Sequence, residues 1–406
     1  MSSSTPSPSL QQFFDLLDSG DYYGAHQKAR TTATRLLAPP RRTVAPTPAS
    51  NKKNTNPTST EALPFDSKAQ QASELLWQAS RKLMEQGQIG SGVDLAIYLL
   101  DIYKSRNVAC GPEERAKMLQ LIALTGPAGA WRKTLTDNIF RSVHCCNTTH
   151  NTLLNRRTHL VPYSWSSKTG VAEAGDPEIH LYLGQLLYKE QNYHNASLHL
   201  LVVPTQDSAR TLADVMFVWS QLDPSDINGL GRYAARATLS YLESQAILAA
   251  RTFLSHFLSS ALKTYPKLLV KSMPYPSPTS PLGKNLPASE SGDELLLTKL
   301  QSLNFLQLAV RTIQVGAGET VDKYGGANGG IKKEVRGGGK SNWVKMCARY
   351  EKEVQWFNKS PEIKESLQEL GIMYFGIKPP QPASNPFAAM MSGLLGGGGG
   401  APALGR

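Results

Sequence analysis

One six-residue pattern recurs where apolar helical stretches end: Gly20-Asp21-Tyr22-Tyr23-Gly24-Ala25, Gly87-Gln88-Ile89-Gly90-Ser91-Gly92 and Gln191-Asn192-Tyr193-His194-Asn195-Ala196. Each copy has glycine or glutamine first, a large apolar residue third and a small residue sixth. The first residue lets the chain leave one helix, the large one packs back on it, and the small one lets a second helix approach closely. Tyr22, Tyr23 and Ala25 are read on this basis as hairpin core. Stacked hairpins usually form binding scaffolds and not enzymes. The expected fold is therefore all-α, a TPR-like α-solenoid of helical hairpins.

The flanking sequence supplies the helices. Leu10, Phe13, Phe14 and Leu17 share one helical face, and Ala25, Ala29, Ala33 and Leu36 form the small-residue side of the next helix. A second hairpin follows in Ala72, Leu75, Leu76, Ala79 and Leu83, then Val93, Ala96, Ile97 and Leu100. Residues 113–124 and 131–143 form a further pair split by Gly126-Pro127, and residues 147–175 are expected to be loop. Asp176-Pro177 places an N-cap ahead of a proline in the first helical turn, opening the helix that carries Ile179, Leu183 and Leu187. Helical patterns continue through residues 212–219, 228–242 and 244–265. A strong helix is then expected through Leu295, Leu296, Leu300, Leu303, Leu306 and Val310, and two more at 343–357 and 362–374.

Between these blocks the composition changes. Residues 38–64 are rich in Pro, Thr, Asn and Ser and are expected to be a disordered insertion; residues 266–291 and 316–340 are expected to be loop insertions. Residues 1–9 and 379–406 are expected to be disordered ends, leaving an N-terminal half at 10–144 and a C-terminal half at 145–378.

The net charge of +11 is unevenly spread. Residues 22–60 contain no Asp or Glu but carry Lys28, Arg30, Arg35, Arg41, Arg42, Lys52 and Lys53. Such a field attracts an acidic protein surface or nucleic acid, or is a solvated helix face followed by a basic linker. Base-reading helical repeats need polar side chains at one repeated position and aromatic residues for stacking; these turns differ from copy to copy, which argues against nucleic acid. No apolar run is long enough to span a bilayer, and the Ser/Pro-rich start lacks the features of a secretory signal. Four cysteines without framework spacing agree with a reducing compartment, so a cytosolic or nuclear protein is expected.

Motifs for chemistry are weak. His144-Cys145-Cys146 with His150 lacks a second ligand pair at zinc spacing, because adjacent cysteines do not easily fill neighbouring tetrahedral positions. Gly337-Gly338-Gly339-Lys340-Ser341 resembles the end of a phosphate loop, but Glu334 stands where the first glycine belongs. No nucleophile elbow or metalloprotease helix occurs. Neither a cofactor nor a metal is expected, and the chain is not expected to be an enzyme.

Several runs carry a more specific signal. The segment from Gly20 to Thr31, then Gly87 to Leu95, His180 with Leu187 to Tyr193, Leu303-Asn304-Phe305, and Tyr374-Phe375-Gly376-Ile377-Lys378-Pro379-Pro380 resemble, in order, signature runs of the Get four family. That family is the scaffold subunit of the guided-entry pathway for tail-anchored proteins. The resemblance spans residues 10 to 380. It implies a crescent of about seven hairpins without catalysis. It further implies an adaptor that docks the tail-anchored-protein targeting ATPase through its N-terminal half and grips a ubiquitin-like-domain partner through its C-terminal half, without inserting into membranes itself.

By the resemblance, His26, Arg30 and Asp94 lie on the ATPase-docking side. Lys28 and Arg35 join them on charge, and His26 is equally readable as a core histidine. Leu303, Phe305, Leu306, Trp343 and Tyr350 are the expected anchors for the ubiquitin-like partner, since a wedge between helices needs apolar residues of this kind; packing of the last hairpins is the alternative. Two other functions stay open, a solenoid subunit of some other complex and, supported by charge alone, an RNA-binding helical repeat.

Overall fold

The recurring turns close with the same bonds. In the computed structural model, which describes residues 8–38, 65–127, 129–140, 165–170, 174–224, 226–275, 293–316, 320–323, 332–335 and 337–378, Gly20, Gly87 and Gln191 have φ of 79°, 77° and 61°. The next amide then reaches back five residues: Asp21 N donates to Leu16 O (3.0 Å), Gln88 N to Leu83 O (2.9 Å) and Asn192 N to Leu187 O (2.9 Å). This left-handed cap satisfies carbonyls that the ending helix leaves open.

The structure adds a fourth copy. Gln245-Ala246-Ile247-Leu248-Ala249-Ala250 follows the same pattern, with φ of 61° at Gln245 and Ala246 N bonded to Tyr241 O (2.8 Å). The long helical stretch expected from residue 244 therefore starts only after this turn.

The first hairpin is α1 (Pro8–Asp18) with α2 (Tyr22–Leu37), so helix begins inside the segment expected to be a disordered end. The second is α3 (Ser67–Glu85) with α4 (Ile89–Ser105), and the third α5 (Pro112–Leu124) with α6 (Ala130–Ile139). Ala25, Ala29 and Ala33 of α2 and Ala69, Ala72, Leu76, Ala79 and Leu83 of α3 are buried, so small side chains bring these helices close. At Gly92, a Cβ would lie 2.9 Å from the Ser80 carbonyl oxygen and 2.4 Å from Met84 Cγ, while Ser80 Oγ donates to Gly92 O at 2.7 Å. The sixth position of that turn is small because the preceding helix occupies the space.

Residues 165–169, expected to be loop, form a short helix, α7 (Trp165–Thr169). Its Trp165 is fully buried, stands 5.3 Å from the Tyr103 ring and donates its indole N–H to Val108 O at 2.8 Å. Burial of one large ring fixes this turn where periodicity was too short to read. The helices α8 (Pro177–Lys189), α9 (Tyr193–Val202) and α10 (Gln206–Gln221) follow. Asp176 caps α8 through the amides of Glu178 (3.0 Å) and Ile179 (3.1 Å), and its other oxygen receives Arg115 of α5 at 3.0 Å. At the far end of α8, buried Arg132 of α6 makes a two-point ion pair with Glu190 at 2.8 and 2.6 Å. Successive hairpins are thus tied at both ends of α8.

The chain divides into two compact units, Met1–Tyr233 with Ser255–Ala261, and Ala234–Leu254 with Leu262–Arg406. The boundary runs through α11 (Leu230–Glu243) and α12 (Ile247–Thr264). In the second unit, β1 (Leu269–Tyr275) pairs antiparallel with β2 (Asp293–Thr298), Leu269 opposite Thr298 and Tyr275 opposite Asp293. The expected helix through Leu295 and Leu296 is corrected here: both residues are in β2, and the helix α13 (Gln301–Gly316) starts later.

The cause is polar. Gln307 of α13 accepts from Leu296 N (3.0 Å) and donates to Leu296 O (2.8 Å), while Asn304 accepts from Thr298 N (2.7 Å) and donates to Thr298 O (2.8 Å). Two side-chain amides on α13 thus bond β2 as a neighbouring strand would.

The loop insertions expected at 266–291 and 316–340 are likewise structured in part. They hold β1 and a second hairpin, β3 (Thr320–Lys323) with β4 (Lys332–Val335), in which Thr320 faces Val335. The helix α14 (Gly337–Glu353) begins at the glycines that resembled a phosphate loop, and α15 (Gln355–Lys359) and α16 (Pro361–Phe375) complete the unit. Apart from these two small hairpins, the described elements are helical, in keeping with the all-α reading. Residues 39–64, His144-Cys145-Cys146 with His150, Arg41, Arg42 and 379–406 lie outside the described residues.

Candidate functional site

The sequence places His26 and Arg30 four residues apart on α2, hence on one flank of that helix, and Asp94 on α4. The structure joins all three. His26 Nε2 lies 2.9 Å from Asp94 Oδ2, and the Arg30 guanidinium pairs with the same oxygen. Arg30 also lies 5.7 Å from the centre of the Tyr98 ring, one turn beyond Asp94, and Thr34 Oγ1 is 3.2 Å from Tyr98 Oη. Two hairpins thus share a polar seam between the second helix of each.

The seam is open to solvent along one side: the Arg30 and Asp94 side chains are 49% and 45% exposed, whereas that of His26 is 13% exposed. Partial burial raises the Asp94 pKa, but the hydrogen bonds from His26 and Arg30 and their charges outweigh it and hold the carboxyl below its usual range. Asp94 is therefore an anion that fixes two donors in place. The chemistry of such an array suits pairing with an acidic group or another polar surface, and the three residues do not place a nucleophile and a base in series.

The other two expected docking residues are elsewhere on α2. Lys28 and Arg35 are seven residues apart, two turns, and fall on the opposite flank of the buried Ala25-Ala29-Ala33 stripe from His26 and Arg30. Lys28 is half-buried and Arg35 exposed. The structure does not bring them into the seam. Tyr23 corrects the sequence reading in the other direction. It was expected in the hairpin core with Tyr22 and Ala25; Ala25 is fully buried and Tyr22 half-buried, but Tyr23 is 75% exposed. Its place three residues before His26 puts it on the seam's flank.

The five apolar residues expected to anchor a ubiquitin-like partner are all inside the second unit. Leu303, Phe305 and Leu306 have no exposed surface, and Trp343 and Tyr350 are 3% and 6% exposed. Phe305 sits 5.4 Å from the Tyr350 ring and 4.9 Å from Phe357, and Trp343 sits 5.3 Å from Phe375. These contacts bind α13, α14, α15 and α16 to one another. What the unit leaves exposed is different: Leu248, Leu269, Val270, Val344 and Ile372.

Among the described residues, the two thiols and a buried histidine are held in unreactive forms. Burial and the neighbouring Asp176 push the Cys110 thiol up to about 12, and burial with Glu351 does the same at Cys347, so neither forms a thiolate near neutral pH. His180 of α8 is stacked on Phe140 at 4.1 Å, with Nε2 3.2 Å from Ala174 O and Nδ1 2.9 Å from His199 Nδ1. A carbonyl can only accept, so Nε2 carries the hydrogen and Nδ1 accepts from His199. Burial lowers the His180 pKa to about 4. Among the described residues no group of three or more His, Cys, Asp or Glu is arranged to hold a metal ion, and no helix is long and apolar enough to cross a membrane.

Against this geometry, the sequence model of a family described as Golgi to ER traffic protein 4 matches residues 66–395. The Golgi to ER traffic protein 4 of Aspergillus fumigatus is 26% identical over 386 residues, which cover 94% of this chain and 87% of that protein. The protein of the same name from Schizosaccharomyces pombe is 24% identical over 327 residues, 80% of this chain and 83% of that one. The crystal structure of C. therm. Get4 superposes with a TM-score of 0.63 at 23% identity, covering 98% of both chains, a likeness of fold.

Proposed function

The chain belongs to the Golgi to ER traffic protein 4 family, and on that premise we propose that it is a non-catalytic cytosolic adaptor in the delivery of tail-anchored proteins to the endoplasmic reticulum. One end receives the targeting ATPase and the other holds a ubiquitin-like-domain partner that brings chaperone-bound substrate. The observation that carries this reading is the solvent-facing seam of His26, Asp94 and Arg30, built across two hairpins at the positions the family resemblance assigns to ATPase docking. The acid-free basic run of residues 22–60 supports it, because an acidic ATPase surface would be steered there and released as salt rises. Lys28 and Arg35 contribute to that long-range field from the opposite flank of α2.

In the second unit, the partner's grip depends on Leu303, Phe305, Leu306, Trp343 and Tyr350 as the packing that shapes the surface, while direct contact falls to side chains such as Val270, Val344 and Ile372. Calorimetry of the full chain with the targeting ATPase tests the docking reading: Arg30→Glu should weaken binding and reduce its salt dependence. An unchanged affinity would refute docking at the seam. Capture of the ubiquitin-like partner that persists at high salt, with the ATPase lost, is the expected result of a pull-down at two salt concentrations.

A further inference from the structure

The second helix of each of the first three hairpins places a revealing residue at its second position: Tyr23 in α2, Gly90 in α4 and Trp131 in α6. Among the described residues of the first unit, the exposed large apolar side chains are Tyr23 at 75%, Trp131 at 50% and Leu222 at 66%. Two of them therefore flank α4, the helix that carries Asp94.

Gly90 accounts for the placing of Trp131. A Cβ at that position would stand 3.0 Å from Trp131 Cζ2 and 3.4 Å from Cε2, so the indole lies flush on the bare backbone of the first turn of α4. Asp94 is one turn further along the same face of α4, which puts the indole about one turn from the ion pairs with His26 and Arg30. On the other side, Tyr23 precedes His26 by three residues and Arg30 by seven on α2, again on the seam's flank. Neighbouring helices pack at about 8–10 Å, and with the indole lying over α4 the two rings are no more than about two such spacings apart, within the footprint of a single partner of ordinary size.

We infer that Tyr23 and Trp131 are the two apolar anchors of the docking face, seated on either side of the His26–Asp94–Arg30 seam and inserted into sockets on an acidic partner surface. The inference rests on the docking reading above and adds what that reading lacks. Exposed charge pairs steer a partner and set its orientation, but most of the binding energy in an interface comes from a few buried aromatic or arginine side chains. The partner's acidity follows from the acid-free run of residues 22–60 that begins at the first ring.

The test is calorimetry of the full chain and the variants Trp131→Ala, Tyr23→Ala and Arg30→Glu against the targeting ATPase at low and physiological salt. Circular dichroism monitors folding. Trp131→Ala is expected to weaken binding roughly thirtyfold and Tyr23→Ala roughly tenfold, both with the salt dependence of the wild type. Arg30→Glu is expected to weaken binding and flatten that dependence. Loss with Arg30→Glu but wild-type affinity for both aromatic variants would overturn the anchors and leave the docking reading standing. Wild-type affinity in all three, or no binding by the wild type, would overturn both. Oxidative footprinting of the unmutated complex is the second measurement, free of any folding defect: both rings should be protected by the ATPase, and rings modified as fast in the complex as in the free chain would overturn the inference.

Discussion

The junction of α2 with α4 and the junction of α13 with α14 and α16 hold helices together by opposite means. The first has small alanines underneath and an ion-paired seam at the rim, where His26, Arg30 and Asp94 keep contact with water. The second is a nest of rings, Phe305 with Tyr350 and Phe357, and Trp343 with Phe375, all excluded from water. Exposed ion pairs add little to stability, so their side chains can be given over to recognition; buried rings contribute several kcal/mol each and leave little freedom to change. On the proposed function, the polar region would offer residues to a partner and the apolar region would offer shape.

Four substitutions or conditions would break or sharpen this contrast. The largest effect belongs to the ring nest: Phe305→Ala should cost about 4 kcal/mol in urea unfolding of the second unit, and a cost under about 1 kcal/mol would mean the rings are loosely packed. Next is acid. The His180 pKa is lowered in the folded chain to about 4, so its contribution is complete above the ordinary value of 6.5 and is withdrawn as pH falls between 6.5 and 4. About 3 kcal/mol is lost over that window. Urea midpoints measured at pH 7.5 and 4.5 should show it, and His180→Gln should remove that part of the slope.

Gly92→Ala should cost about 2 kcal/mol, because its Cβ meets the Ser80 carbonyl. The smallest effect is expected at the seam, where Asp94→Asn should change stability by less than about 1 kcal/mol while altering ATPase affinity. A stability loss as large as that of Phe305→Ala would make the seam structural and end the contrast.

Apart from the short α7, the helices were legible where they carry an apolar stripe and their own stop signal; Asp176-Pro177 and the turn at Gly20 needed nothing distant to be read. The Gln245 turn obeys the same rule but is masked in the sequence, because Ser244 to Tyr265 reads as one unbroken helical pattern. Leu295 and Leu296 failed for a different reason. Their local pattern fits a helix, and it is Asn304 and Gln307, farther along the chain, that supply the bonds of a strand. The ion partners His26, Arg30 and Asp94 were legible through the family resemblance, since nothing local links residue 26 to residue 94. The turn pattern assigns the inward place to Tyr22, its third residue, and leaves Tyr23 undefined; a helical wheel centred on Ala25, Ala29 and Ala33 turns Tyr23 outward, as it is in the structure.

The amide bonds from Asn304 and Gln307 occupy the backbone groups of Leu296 and Thr298 on the edge of β2 that another strand would need. A sheet with two open edges can polymerise, each copy adding to the next without end. With one edge sealed from within its own chain, the hairpin can accept at most one added strand, on the side of β1, so strand exchange between copies would terminate at a pair and could not grow a fibre.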